Sequence, residues 1–422
     1  MRVLRSIAAG AAALGFTCGG VTCVFANAKM PAAEVPAPSA TAQTPSPAPT
    51  MTPAANAPAI AAPHRKQVAA ADWPDSARIL AGMSVADSSP LSALNARASI
   101  KRHRKEFEPA FVTFNERRMV PMQRFAAREL TPLAASSGPV FYPFSGPDAL
   151  HALALFPRVD DFVFTGLEPV GEVPDLASLD ENQLRESLYL LRQSLGSALL
   201  ASFFKTHEMK VDLRRNVLEG VTPIITLFLA RHDMIVTGVD YLIVDAKGAI
   251  RTVEPRAHDK LAATDLSAVR VRFTRPDAAG ERRITYFSAD ISNSGLGRTP
   301  QYLEYVQKLG FKTTLVKSAS YLMHMDAFSN LRSFIVDRSA MIVQDDSGVP
   351  WRFFAENDWQ HRFYGQYHGP IPMFANRMQK DMRAAYQTAP VVPINFVYGY
   401  NFGTRGNTLM RLNRKINVAV NR

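Results

Sequence analysis

Residues 140 to 168 constrain the fold of this chain more than any other stretch. Val140 to Phe144 is a short apolar and aromatic run, and Ser145-Gly146-Pro147-Asp148 breaks it. Ala149 to Phe156 reads as a helix, and Phe162 to Leu167 is a second buried run that ends in Glu168-Pro169. Two buried strands joined by a helix predict parallel neighbours, because a parallel pair needs a crossover and not a tight turn.

The same alternation continues downstream. Leu184, Leu188, Leu191, Leu195 and Leu199 recur at helical spacing behind a capping box at Ser178 and Glu181. Ile224 to Leu229 reads as a helix or a buried strand, and Met234 to Val239 and Tyr241 to Val244 as two strands. Val269 to Thr274 and Arg283 to Ser288 flank Asp277-Ala278-Ala279-Gly280 as a hairpin. Pro300 to Leu309 is helical, stops at Gly310, and is followed by a strand from Phe311 to Val316. The expected fold class is α/β: a Rossmann-like, mostly parallel sheet with antiparallel additions, spanning residues 136–400. Residues 71–135 are expected as an N-terminal helical cap and residues 401–422 as a basic C-terminal tail.

The first 28 residues carry Arg2 and Arg5, an uncharged run from Ser6 to Phe25, and Ala26-Asn27-Ala28, the pattern of a secretory signal peptide cleaved after Ala28. A retained anchor is the alternative, since the run is just long enough to span a bilayer. Both cysteines, Cys18 and Cys23, fall inside this segment, so a cleaved protein has no disulfide. Within the expected tether, residues 29–70, 21 of the 33 residues from Pro31 to Pro63 are proline or alanine, a composition that buries no core. The expected location is periplasmic or secreted, with membrane contact only during export. Nucleotide cofactors are scarce there, and no cofactor is expected.

Charge narrows the partners further. Lysine and arginine outnumber aspartate and glutamate by 48 to 37, but the excess is spread along the chain. The one dense run, Lys101-Arg102-His103-Arg104-Lys105, has no interleaved aromatics and reads as a solvated helix face instead of a nucleic-acid platform. The histidines show no metal-ligand spacing such as HExxH, and no metal is expected.

In a doubly wound sheet, the loop after the first strand and an acid at the end of the second meet in one crevice. Glu168 follows Gly146 by 22 residues, which suits that geometry, but one glycine followed by Pro147 is not the dinucleotide pattern G-x-G-x-x-G. Pro147 suits the first helical turn, and Asp148 in that turn answers the positive helix end and repels a phosphate. The crevice is therefore expected to take a neutral or cationic ligand carrying hydroxyls. Tyr142, Ser145, Gly146, Asp148 and Glu168 form the candidate binding set, with Asp290 as a further acid. Glu168, Asp148 and Asp290 are the candidates for a titrating acid in an enzyme.

This arrangement looks like the first half of an S-adenosylmethionine-dependent methyltransferase fold, a family in which the second-strand acid holds the ribose hydroxyls. Four phrases also resemble a family of exported bacterial proteins: YPFSGPDAL at 142–150, LEPVG at 167–171, KSASYLMH at 317–324 and QDDSGVPWRFF at 344–354. That resemblance covers about residues 70 to 400. It implies no catalytic residue, only that the four segments belong to one domain.

Two of the phrases hold further candidates. Ser320 and His324 share a face if their segment is helical; a buried, hydrogen-bonded histidine is the other reading. Asp345-Asp346-Ser347-Gly348 reads either as a hairpin turn or as a pair of carboxylates beside Trp351, Trp359, Phe363, Tyr364 and Tyr367 able to bind a sugar. The expected partner is thus a small molecule or an envelope glycan, with no nucleic acid. An enzyme related to methyltransferases and a purely structural envelope protein are the alternatives.

Overall fold

The structure, a computed structural model, describes residues 72–131, 138–201, 218–400 and 408–415. The expected signal peptide and the tether up to residue 70 lie outside the described residues. The strands are β1 (Val140–Tyr142), β2 (Asp161–Gly166), β3 (Ile235–Val244), β4 (Ile250–Thr252), β5 (Leu266–Arg275), β6 (Ala278–Ser288), β7 (Thr313–Val316), β8 (Met341–Gln344), β9 (Trp359–Gly365), β10 (Val391–Val392) and β11 (Thr408–Arg414). Together they form one 11-stranded sheet in the order β10-β9-β11-β8-β7-β1-β2-β6-β5-β3-β4.

The middle five strands, β8-β7-β1-β2-β6, are mutually parallel. Starting at β1, the chain moves outward through β2 to β6, then returns to the other side of β1 and moves outward again through β7 to β8. The direction of winding thus reverses at β1. Antiparallel strands flank the parallel block: β5, β3 and β4 on one side, and β11 beside β8 on the other. The expected antiparallel additions and the β5–β6 hairpin are present, but the sheet is mixed and not mostly parallel: five of its ten strand pairings are antiparallel. The two strands read at 234–244 are a single strand, β3, with an irregularity between Val236 and Gly238.

Alternate strand residues face opposite sides of a sheet, and here both sides are covered. Helices α1 (Trp73–Leu80), α2 (Ala98–Phe114), α3 (Val120–Glu129), α4 (Ala149–Leu155), α5 (Glu181–Ala201) and α6 (Thr222–Arg231) share a core with Val140, Tyr142, Phe162, Phe164 and Tyr286. Helices α7 (Asn293–Arg298), α8 (Gln301–Lys308), α9 (Ser329–Arg338) and α10 (Lys380–Thr388) cover Phe141, Val163, Phe287, Val316 and Ile342 on the other side. Phe141 is fully buried against Phe311 and Phe334, with ring centroids 5.2 and 6.2 Å away, so its replacement by alanine should cost about 3–5 kcal/mol.

Three boundaries differ from those read in the sequence. The helices of 73–129 do not cap the domain; Phe107, Phe111 and Phe114 belong to the same core as the strands, and Phe114 meets His151 of α4 edge-on. Part of the expected basic tail is β11, an interior strand whose Leu409, Met410 and Leu412 are buried. Its arginines are accommodated at the periphery, Arg411 on Glu129 and Arg414 over the Trp359 ring. The capping box of α5 uses Asp180 and Gln183, not Ser178 and Glu181: each side chain accepts the other's main-chain N–H, at 2.9 and 3.0 Å. Among the described residues no helix is long and apolar enough to cross a membrane.

Candidate functional site

Because β1, β2, β6, β7 and β8 are parallel, the segments that leave their carboxyl ends emerge along one edge of the sheet. A cavity of about 470 Å³ opens there. Its walls come from Tyr142 to Asp148 after β1, Gly166 to Glu168 after β2, Ala289 to Ile291 after β6 and Lys317 to Leu322 after β7, with Phe328, Ile371, Met373, Phe374 and Tyr400 adding an apolar side. It lies where the winding reverses, the usual ligand crevice of open α/β sheets.

Backbone hydrogen bonds pin the loop after β1 to the end of β2. Ser145 Oγ accepts the Thr165 N–H at 2.9 Å, and Gly146 N–H donates to Thr165 O at 3.2 Å. Gly146 sits at φ +51°, in the left-handed region that glycine reaches without strain. Gly166 opposite is required by space: an added Cβ would lie 2.2 Å from Glu168 Oε2 and 3.2 Å from Gly146 Cα. These two glycines let the Glu168 carboxylate lie against the loop.

Glu168 is 2% exposed. The Tyr286 hydroxyl donates to its main-chain oxygen at 2.8 Å and stands 3.4 Å from its carboxylate. Among the described residues no cation pairs with it. Asp290, at the end of β6, accepts the Ser292 N–H at 3.0 Å and pairs with Arg298 at 2.9 Å. Part-burial opposes ionisation of Asp290, but Ser292 and Arg298 prevail and hold its carboxyl below the usual value.

Asp148 is the hub of the cavity floor. It does cap α4, accepting the His151 N–H at 3.3 Å, but it lies just before the helix and not in its first turn. It also accepts from Tyr142 OH at 2.9 Å, His151 Nδ1 at 2.7 Å and Lys317 Nζ at 3.0 Å. Lys317 and Asp148 are both almost wholly buried. Burial alone would raise the Asp148 pKa, yet His151 and Lys317 outweigh it and hold the carboxyl well below its usual range. Burial outweighs the neighbouring Asp148 carboxylate and lowers the His151 pKa, and its Nε2 has no hydrogen-bond partner among the described residues.

The loop after β7 is the strained wall. Ser318, Ser320 and Tyr321 all have φ between 51° and 54°, and Phe144 across the cavity has φ 59°. Such conformations cost about 1–3 kcal/mol each for residues with a Cβ, so surrounding bonds must hold them. Asp345 accepts the Ser318 N–H at 2.9 Å and the Ser347 hydroxyl at 2.5 Å, while Ser347 Oγ accepts the Ala319 N–H at 2.8 Å. Tyr321 OH donates to Asp346 at 2.5 Å. Tyr400 OH donates to Ser318 O at 2.6 Å and meets Ser320 Oγ at 2.8 Å.

Asp345 and Asp346 therefore hold the loop from beneath. They follow β8 in the parallel block, so the hairpin reading is wrong, and both are 1% exposed. Burial, with Asp345 as neighbour, raises the Asp346 pKa to about 7; burial raises that of Asp345 as well. Of the five rings expected as a sugar platform, only Trp351 is part-exposed, and it packs against His361 and Phe363. Trp359, Phe363, Tyr364 and Tyr367 are core residues, and stacking needs an open ring face.

Ser320 and His324 do not share a helix face, because left-handed residues interrupt the segment and only Leu322–His324 forms a short 3-10 turn. Ser320 lines the cavity described above, and His324 lines a different one. Of the candidates, the structure assembles Tyr142, Ser145, Gly146, Asp148, Glu168 and Asp290 in one cleft, places Asp345 and Asp346 behind its wall, and separates His324. Lys317, His151 and Tyr400 escaped the sequence reading as members of this network; the signal for Lys317 was a lone lysine directly after a buried strand. Among the described residues there is no cluster of acids and histidines suited to a metal. No family model, curated protein or solved structure matches the chain.

Proposed function

We propose that this is an exported envelope protein whose Rossmann-like core binds a small, neutral or cationic ligand carrying hydroxyls, in the cleft at the carboxyl ends of β1, β2, β6 and β7. The observation that carries the reading is Glu168. A carboxylate this buried, lining the cavity with no cation beside it among the described residues, offers its oxygens to a ligand that donates hydrogen bonds. Vicinal hydroxyls suit the two oxygens. Asp290 adds negative charge at the rim, which disfavours an anionic ligand, and the apolar wall of Phe144, Leu322, Phe328 and Phe374 suits a flat or apolar portion of the molecule.

The doubly wound order of the parallel strands supports the Rossmann-like reading. With an acid ending the second strand, it also favours the likeness to a methyltransferase scaffold. A purely structural role leaves both the cavity and the strained loop without a reason.

Calorimetry of the purified domain with nucleosides, S-adenosylmethionine and neutral sugars tests the proposal, using Glu168→Gln as the control. The substitution keeps shape but removes charge, and should weaken the bound ligand by about 1.5–3 kcal/mol, roughly 10- to 150-fold. Without ligand the same variant should be about as stable as the parent, because no ion pair of Glu168 is broken among the described residues and the amide oxygen can still accept from Tyr286. Unchanged affinity together with lower stability would mean that Glu168 is structural and would overturn the reading.

A further inference from the structure

A second cavity, of about 460 Å³, lies behind the wall of the first and is lined by His324, Arg352, Asn376, Arg377, Met378, Gln379, Lys380 and Asp381. The two cavities share their partition. Ile371, Met373 and Phe374 face the first and Asn376 to Gln379 the second, while the loop after β7 contributes Ser318 and Ser320 to the first and His324 to the second.

The second cavity has the opposite electrostatic character. Arg352, Arg377 and Lys380 converge on it, and among the described residues none of them pairs with a carboxylate. The single acid on the wall, Asp381, turns its carboxylate to the Met382 N–H at 2.9 Å. Gln379, at the start of α10, directs its side chain to Trp351 N and Asp346 O, so the helix begins at this wall without a side-chain cap. His324 presents an Nε2 that is sheltered and has no hydrogen-bond partner among the described residues. Three like charges gathered in one concavity repel each other unless an anion joins them.

We propose that this cavity is an anion site that takes a phosphoryl group, held by Arg352, Arg377 and Lys380, with His324 in its wall. A carboxylate is satisfied by one guanidinium, whereas three cations match the charge and the several oxygens of a phosphoryl dianion. The site is independent of the hydroxyl-binding cleft, although an occupant here would stiffen the 371–379 partition common to both.

The groups facing His324 are Arg332, Arg352, Arg377, the Tyr321 ring and the Asp346 main chain. Burial, followed by Arg352 and Arg377, lowers its pKa to about 4. A bound dianion offsets those arginines, so the His324 titration should move upward when the site fills.

Inorganic phosphate, titrated into the purified protein by calorimetry, tests the proposal directly. Saturable binding is expected, weakened about 30-fold or more in the Arg352→Ala, Arg377→Ala double variant and little changed in Glu168→Gln. The His324 ring resonance should shift its titration upward with phosphate present. Ribose 5-phosphate distinguishes the sources: affinity above that of phosphate by about tenfold assigns the group to a larger ligand, and equal affinity assigns it to the free ion. Arg352 is exposed and Arg377 half-buried, and an unchanged melting temperature verifies that the variant is folded. No saturation up to about 10 mM phosphate, or equal affinity in a folded double variant, overturns the proposal.

Discussion

The buried pair at the cavity floor allows the most demanding test of this architecture. Asp148 receives four donors, and the nearest cation, Lys317 Nζ, is 3.0 Å away with only 2% of its side chain exposed. Asp148→Asn preserves size and one acceptor but leaves the Lys317 ammonium enclosed without a counter-charge. Removing one partner of a buried pair costs about 3–5 kcal/mol, much more than the pair itself contributes over an apolar replacement. Lys317→Met should cost less, since Asp148 keeps His151, Tyr142 and the α4 amide. In the double variant the stranded charge is gone, so its loss should fall short of the sum of the two singles by at least about 1.5 kcal/mol.

Urea unfolding at pH 7, extrapolated to water, measures all three losses. The pH dependence supplies an independent check. The folded-state pKa of Asp148 is depressed, so its contribution is present above the unfolded value of about 3.9 and disappears as pH falls below that value toward the folded one. The difference between parent and Asp148→Asn should therefore shrink under strongly acid conditions. A loss below about 1 kcal/mol at pH 7, or strict additivity in the double variant, would refute the claim that these two charges depend on each other.

Three shorter predictions follow from other parts of the molecule. Gly166→Ala places a methyl 2.2 Å from Glu168 Oε2 and 2.9 Å from Tyr286 OH, and should cost about 1–3 kcal/mol in urea unfolding while abolishing ligand binding in the first cleft. Asp346 has a folded pKa raised to about 7, so stability should decline as pH rises from about 4 through 7; Asp346→Asn should flatten the difference in melting temperature between pH 5 and pH 8. Intact mass of the protein recovered after export should correspond to a chain beginning at Lys29, and a product retaining Cys23 would contradict cleavage after Ala28.

The legible and illegible parts of this fold divide along a physical line. The strands β1, β2 and β7 could be read because strands buried on both faces are continuous apolar runs, and the Gly146 to Glu168 spacing follows from the length of one strand–helix–strand unit. Both are local properties of the chain. The β11 strand was hidden because Arg411 shares a face with buried Leu409, and Arg414 shares the other with Met410 and Leu412, so local charge masked a strand buried on both faces. Asp345 and Asp346 were misread for a related reason. An Asp-Asp-Ser-Gly stretch has the composition of an exposed turn, and only the placement of β8 inside the parallel block shows that its end must be buried.

Lys317 and Asp148 lie 169 positions apart, and nothing in either local segment points to the other. Their pairing depends on β7 returning beside β1, the same reversal of winding that opens the cleft. One topological step thus creates both the cavity and the internal charges of its floor. It follows that Lys317 could not be found by spacing, as Glu168 was, whereas the position of the site can, once the strand that begins the reversal is identified. Here that strand is β1, and the loop that follows it carries Ser145, Gly146 and Asp148 into the cleft.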